Sequence, residues 1–303
     1  MKKLIFCFSM AAMALCTGCS NDNDLSTASK DSSMHSLSVT SASVSEAKSV
    51  TKSSSYTPLA AGNIGVFRSA DNGYTALNDV EFTYGTPWTT TTPINLGSAT
   101  TNVCAYYPYD ASITNSAAVP LTSQVYSTAA DLCYSTNTTV NNTAPQVAFN
   151  MLRAYSMITF NITRNTTYEG TASPCQIGNI SIANVGLQAA TTLDITSGTY
   201  ATGTLGTVTF AAGISAIAIG TSQNTAVLMV PVSGLTGNIT FSFVVDGTTM
   251  TQTVDATTFG LTALVQANNY KINVTISGKG LVINSVNLQD WTDQTISSPI
   301  DFQ

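Results

Sequence analysis

Short runs in which apolar and polar residues alternate recur along the chain from Leu37 onward. In residues 239–245 (ITFSFVV) every second residue is apolar, and residues 270–276 (YKINVTI) repeat the pattern. A period of two is typical of a strand with one buried face. Turn signals follow both runs, Asp246-Gly247 after the first and residues 277–280 (SGKG) after the second. No segment has a sustained helical period, so the pattern predicts an all-β protein of antiparallel strands packed into sandwiches.

Residues 1–19 have a different pattern. Lysines at positions 2 and 3 precede an apolar stretch over residues 4–15, and Thr17-Gly18-Cys19 follows it. This arrangement predicts a lipoprotein signal peptide, residues 1–18, that is cut between Gly18 and Cys19. The apolar stretch is shorter than the roughly 20 residues of a transmembrane helix. We therefore expect a lipid on Cys19 to anchor the mature chain to a membrane outside the cytoplasm.

Composition shifts divide the rest of the chain. Residues 19–36 contain almost no apolar side chains and are predicted to form a flexible tether. Residues 135–145 (STNTTVNNTAP) are polar, lack a strand period and end in proline, which indicates a boundary near residue 146. The predicted organisation is an N-terminal β-sandwich domain over residues 37–146 and a C-terminal one over 147–303. A rival boundary lies at residues 164–175.

Charge and residue counts disfavour several classes of function. The formal net charge is −6, which argues against nucleic acid as a partner. The chain has one histidine, His35, and it lies in the predicted tether, so neither a histidine base nor a histidine-rich metal site is expected. Carboxylate pairs for glycoside hydrolysis are not excluded by counting, but few glutamates are present. We expect no catalytic residues, no metal and no cofactor.

Cysteines and aromatic residues leave alternatives open. Beyond Cys19 the cysteines are Cys104, Cys133 and Cys175, and the sequence allows either a Cys104–Cys133 bridge or buried thiols. The larger aromatic side chains could form a platform that stacks on carbohydrate, or they could be packed in the core, which is the ordinary place for aromatics in strands. These aromatic residues are Trp88, Tyr106, Tyr107, Tyr109 and Trp291.

The order of several motifs resembles the fimbrillin superfamily, the subunits of type V pili. The motifs of the first half are residues 64–67 (IGVF), Trp88, residues 103–110 (VCAYYPYD) and residues 149–154 (FNMLRA). Those of the second half are residues 193–198 (LDITSG), 228–231 (LMVP), 268–272 (NNYKI) and Trp291. The resemblance implies two tandem transthyretin-like antiparallel β-sandwich domains and a non-enzymatic role in a surface filament.

The resemblance also implies a mechanism of assembly. Such subunits reach the outer membrane as lipoproteins, a trypsin-like protease removes an N-terminal segment with its first strand, and a strand of a neighbouring subunit fills the groove. Residues 37–44 (LSVTSASV) are the candidate removable strand, with Leu37 and Val39 on one face and Val44 on the other. Processing in the family typically follows an arginine. Lys48 stands at the expected position here and Lys52 is the second candidate, or the chain is uncleaved and keeps its lipid anchor.

The C-terminal segment is the candidate donor strand. Its apolar residues Ile296, Ile300 and Phe302 could fill pockets of a neighbour, with Pro299 between them. The resulting hypothesis is a structural and adhesive fimbrial subunit, at the tip, stalk or anchor of the filament, that serves attachment and biofilm formation as in similar proteins. The alternative hypothesis is a monomeric surface lipoprotein that binds host glycan or protein through Trp88 or the tyrosines.

Overall fold

The computed structural model describes residues 34–45, 55–168 and 175–291, and within them the protein is almost entirely β-structure. The strands of the first half are β1 (His35–Ser36), β2 (Ser38–Ser45), β3 (Tyr56–Pro58), β4 (Asn63–Arg68), β5 (Leu77–Thr83), β6 (Asn95–Leu96), β7 (Thr101–Tyr107), β8 (Val119–Thr122), β9 (Gln124–Val125), β10 (Cys133–Val140) and β11 (Gln146–Arg153). Those of the second half are β12 (Ser156–Arg164), β13 (Ile177–Ala183), β14 (Gln188–Asp194), β15 (Thr199–Tyr200), β16 (Thr204–Leu205), β17 (Val208–Ile214), β18 (Ser222–Met229), β19 (Asn238–Val245), β20 (Thr248–Asp255), β21 (Asn269–Ser277) and β22 (Gly280–Gln289). A short helix, α1 (Ala256–Phe259), follows β20. The all-β prediction is confirmed.

The N-terminal half is built on a seven-stranded sheet in the order β3-β2-β11-β10-β7-β4-β5. Alternation along its strands places apolar side chains on both faces. In β4, Ile64 and Val66 enter a cluster that we call the N-terminal core, whereas Phe67 enters a second cluster on the opposite face, the junction core. Part of each face is therefore buried, whereas alternate residues of β5 and β11 are exposed.

The C-terminal half is a sandwich of a five-stranded sheet, β22-β21-β12-β18-β9, and a four-stranded sheet, β17-β13-β19-β20. Between them lies the C-terminal core, in which the Phe160 ring is 5.5 Å from that of Phe243 and 6.1 Å from that of Phe241, both edge-on. Such edge-to-face contacts add to the burial of the rings. The runs predicted as strands form β19 and β21. Their turns are also as predicted: Asp246 and Gly247 have φ of 48° and 80°, the left-handed pair of a two-residue hairpin.

The two halves share the junction core, because strands of the first half pair with strands of the second. β8 pairs with β14, and β9 pairs with β18. The predicted division at residue 146 coincides with the start of β11, and β11 still belongs to the N-terminal sheet. The last strand of the N-terminal sheet ends at Arg153, and β12 of the C-terminal sandwich begins at Ser156. At the other end, His35 and Ser36 of the predicted tether form β1, which pairs with β6.

Two strand pairs depart from the predicted antiparallel arrangement. β2 is parallel to β11, and β12 is parallel to β21. In each pair the two strands are far apart in sequence, so the connection is long enough for the chain to return in the same direction. The period of two records which face of a strand is buried and carries no information about the direction of its neighbour.

Candidate functional site

The candidate removable strand is β2, the second strand from the edge of the N-terminal sheet. Along its length it pairs with β11, and within the described residues its outer side pairs with the three-residue strand β3, whose residues are all exposed. Further backbone bonds run from Leu37 N to Ile94 O (2.8 Å) and from Trp88 N to Val39 O (3.3 Å). β2 is therefore a peripheral strand of the sheet that has one long partner.

A β-bulge at Thr40 determines which side chains of β2 face the N-terminal core. Val39 pairs with Val147 and Ser41 pairs with Ala148, so Thr40 is an extra residue, and its hydroxyl donates to the Val147 carbonyl at 3.0 Å. The bulge reverses the alternation. As a result Ala42 and Val44 point inward together with Leu37 and Val39. The predicted outward position of Val44 is wrong for this reason.

The groove that holds β2 is lined by the N-terminal core. Phe149 and Met151 of β11 stand opposite Ala42 and Val44, and both are fully buried. Trp88, Ile94 and Leu96 belong to the same cluster. Without an occupant, this groove would expose an apolar surface to water and would leave the backbone edge of β11 unpaired.

A buried ion pair lies at the carboxyl end of β2. Arg153, the last residue of β11, pairs with Asp131, which is 4% exposed. On its other side the Arg153 guanidinium is 4.9 Å from the centre of the Trp291 ring. Sequence reasoning missed this cluster, because the three residues are far apart in the chain and no motif connects them.

The aromatic platform for carbohydrate is not formed. Trp88 is 6% exposed and Tyr106 is fully buried, and Tyr84 contacts Trp88 edge-on at 5.5 Å. The Tyr106 hydroxyl is within hydrogen-bond distance of two acceptors, a carboxylate oxygen of Asp79 at 2.5 Å and the Asp110 carbonyl at 2.8 Å. These aromatic residues are therefore packed in the core, which is the alternative to a carbohydrate platform given by the sequence.

Asp79→Asn is expected to stabilise the protein at neutral pH. Burial raises the pKa of the Asp79 carboxyl, and hydrogen bonds from Tyr106 and Tyr109 only partly offset this. A raised pKa in the folded state means that Asp79 favours folding below the unfolded value, 3.8, and that this contribution is lost as pH rises. The increase in the free energy of unfolding that Asp79→Asn causes, measured by urea unfolding, should therefore grow from pH 4 to pH 7.

Asp194→Asn is the matched control with the opposite sign. Burial acts against ionisation of Asp194, but hydrogen bonds from Thr196 and Ser197 outweigh it and lower the pKa of this carboxyl. The ionised Asp194 carboxylate therefore stabilises the fold above the unfolded pKa, and this stabilisation is lost as pH falls. Asp194→Asn should accordingly be less stable than the wild-type protein at pH 7. An Asp79→Asn gain that is constant with pH contradicts the expectation.

The three described cysteines are buried and form no bridge. Cys104 lies in the junction core and Cys133 in the N-terminal core, on opposite faces of the sheet. Burial raises the pKa of the Cys104 thiol to about 12 and that of Cys175 to about 11. Both therefore remain protonated thiols at neutral pH.

Comparison with protein families decides where the chain belongs. The model of a family described as fimbrillin-like matches residues 50–291. The chain belongs to the fimbrillin-like family. The match begins after β2, so the candidate removable strand lies outside the region shared with the family model. No curated protein matches this fimbrillin-like chain.

Solved structures share the fold of this fimbrillin-like protein. A candidate cell adhesion protein from Bacteroides uniformis is 18% identical, with a TM-score of 0.59 over 90% of this chain and 100% of that one. A second, from Bacteroides ovatus, is 14% identical, with a TM-score of 0.60 over 85% of this chain and 98% of that one. Family membership supports the role of a subunit in a cell-surface fimbrium.

Several predicted site residues lie outside the described residues. These are Gly18 and Cys19, Lys48 and Lys52, and Ile296, Ile300 and Phe302. Arg68, the first arginine of the chain, is described and is 2% exposed. Its guanidinium donates to the carbonyls of Asn95 and Thr75 within the fold. A protease that cuts after arginine cannot reach it in the folded fimbrillin-like chain.

Neither a membrane helix nor a metal cluster is found in the described part of the chain. None of its helices is both long and apolar enough to cross a membrane. Over residues 34–45, 55–168 and 175–291, no group of three or more His, Cys, Asp or Glu side chains could hold a metal ion.

Proposed function

We propose that the chain is a structural and adhesive subunit of a cell-surface fimbrium that joins its neighbours by strand exchange in the groove of β2. Export as a lipoprotein modified at Cys19 brings it to the outer membrane. Cleavage after Lys48 or Lys52 then cuts the chain between β2 and β3. A strand of another subunit replaces β2, with Ile296, Ile300 and Phe302 as candidate donor side chains. The tip, stalk and anchor positions are all compatible with this scheme.

The observation that carries the proposal is the way β2 is held. It occupies the groove through the inward side chains of Val39, Ala42 and Val44, and Leu37 just before the strand adds a fourth. The chain continues from Ser45 through residues 46–54, where both candidate lysines lie, before β3 begins at Tyr56. One cut in that segment leaves β2 bound only by noncovalent contacts.

Energetics favour replacement of the strand over simple loss. Full burial of a valine or leucine side chain contributes about 1.5–3 kcal/mol, so an empty groove is costly. An incoming strand with alternating apolar residues restores that burial and pairs with the exposed edge of β11. Exchange therefore requires a donor strand that places apolar side chains at the inward positions of β2.

The N-terminus of the subunit in isolated filaments tests the proposal. Intact mass and terminal sequencing should find chains that start at residue 49 or 53. Replacing both Lys48 and Lys52 with glutamine should abolish these starts together with the ladder of assembly products. Lys279→Gln is the matched control, because Lys279 is exposed in the β21–β22 turn, far in sequence from the candidate cleavage sites. Filaments whose subunits keep Cys19 and residues 37–44 would refute strand removal.

A further inference from the structure

A cavity of about 180 Å³ lies at the carboxyl end of β2, where five neighbouring strands of the N-terminal sheet begin or end. Its walls come from Val44 and Ser45, from the residues of and after β3, and from the loop that leads into β10. Tyr107, Asp131 and Arg153 complete it. The volume is several times the roughly 30 Å³ that one water molecule occupies in the liquid, so a medium-sized side chain fits.

Two buried oxygen atoms on this wall have no hydrogen-bond partner among the described residues. They are the Ser45 hydroxyl oxygen and Oδ1 of Asp131. Both residues are 4% exposed. A buried acceptor that is left unsatisfied costs about 1–3 kcal/mol, and more for a charged group. The cavity therefore offers an acceptor, Oδ1 of Asp131, that has no donor among the described residues.

The charge balance of the cavity restricts what can enter. Asp131 already pairs with Arg153, so a lysine or arginine would be an unpaired buried cation. An apolar side chain would fill the volume and leave Oδ1 unsatisfied. A neutral side chain with an N–H or O–H donor, such as an amide, avoids both costs.

We propose that this cavity is the terminal subsite of the β2 groove and selects donor strands with a neutral hydrogen-bond donor at the position aligned with Ser45. The inference rests on the proposed strand exchange and adds the chemistry of the partner strand. It also defines register, because a strand displaced by one residue presents the wrong side chain to Asp131.

Stability of the uncut chain tests the subsite without any assembly step. Ser45→Gln and Ser45→Met introduce side chains of similar length, and only glutamine can donate to Asp131. We expect the folding equilibrium constant of Ser45→Gln to exceed that of Ser45→Met by about tenfold. The same two substitutions at Thr40, which is exposed on the bulge, are the control and should not differ. Equal stability of the two Ser45 variants overturns the proposal.

A second measurement separates the subsite from strand exchange itself. The full chain, with a protease recognition sequence inserted between residues 48 and 49, is cut and mixed with labelled peptides of residues 34–45 that carry Gln or Met at position 45. Binding of the Gln peptide about tenfold more tightly supports both proposals. Equal binding overturns the subsite and leaves exchange intact. Absence of peptide exchange, with the stability order retained, overturns exchange and leaves the subsite intact.

Discussion

Val39→Asp is expected to release β2 from the sheet. Val39 is completely buried and lies opposite Val147 of β11. An unpaired carboxylate at this position costs more than about 4 kcal/mol, so detachment of the strand becomes the less costly state. Hydrogen exchange should therefore show at least a hundredfold loss of protection for the amides of Leu37 and Ser38, which donate to Ile94 and Pro145. Amides in β19 and β20 should keep their protection against exchange.

Ser41→Asp on the same strand is the control. Ser41 is partly exposed and lies on the face of β2 that points away from the N-terminal core, so its replacement should leave the protection of Leu37 and Ser38 nearly unchanged. If Val39→Asp retains that protection, β2 is held by more than its buried face, and removal of the strand becomes an inadequate route to assembly.

Local pattern was sufficient to predict two hairpins of the C-terminal sandwich. β19 and β20 are joined by Asp246-Gly247, and β21 and β22 by residues 277–280, so each pair is specified within one continuous stretch. The period of two identifies the buried face, and the turn residues determine the hairpin. The parallel partners of β2 and β12 could not be predicted in this way, because each partner lies in a distant part of the chain.

The candidate site was only partly predictable for a related reason. The sequence predicts a strand over residues 37–44 and, from the change of parity between Val39 and Val44, places these two side chains on opposite faces. That change is the signal of a bulge, and it becomes interpretable only when the register against β11 is known. The cavity and its ion pair depend on contacts between Asp131, Arg153 and Trp291, which no local pattern connects.

Asp131→Ala is expected to destabilise the protein by about 3–5 kcal/mol, because it leaves the Arg153 charge buried without its carboxylate. Trp291 packs on the other side of the same guanidinium, so its fluorescence in a Trp88→Phe background should change with the variant. Urea unfolding measures the first effect, and the emission of the folded state measures the second.

Removal of both charges separates the cost of a broken pair from the value of the intact one. Asp131→Leu combined with Arg153→Met replaces the pair by apolar side chains, and we expect it to recover most of the stability that Asp131→Ala loses. Glu81→Ala, at an exposed carboxylate of β5, should cost less than about 1 kcal/mol. If Asp131→Ala loses no more stability than Glu81→Ala, the ion pair is solvated. A double variant that is no more stable than Asp131→Ala would instead show that the ion pair itself stabilises the end of the β2 groove.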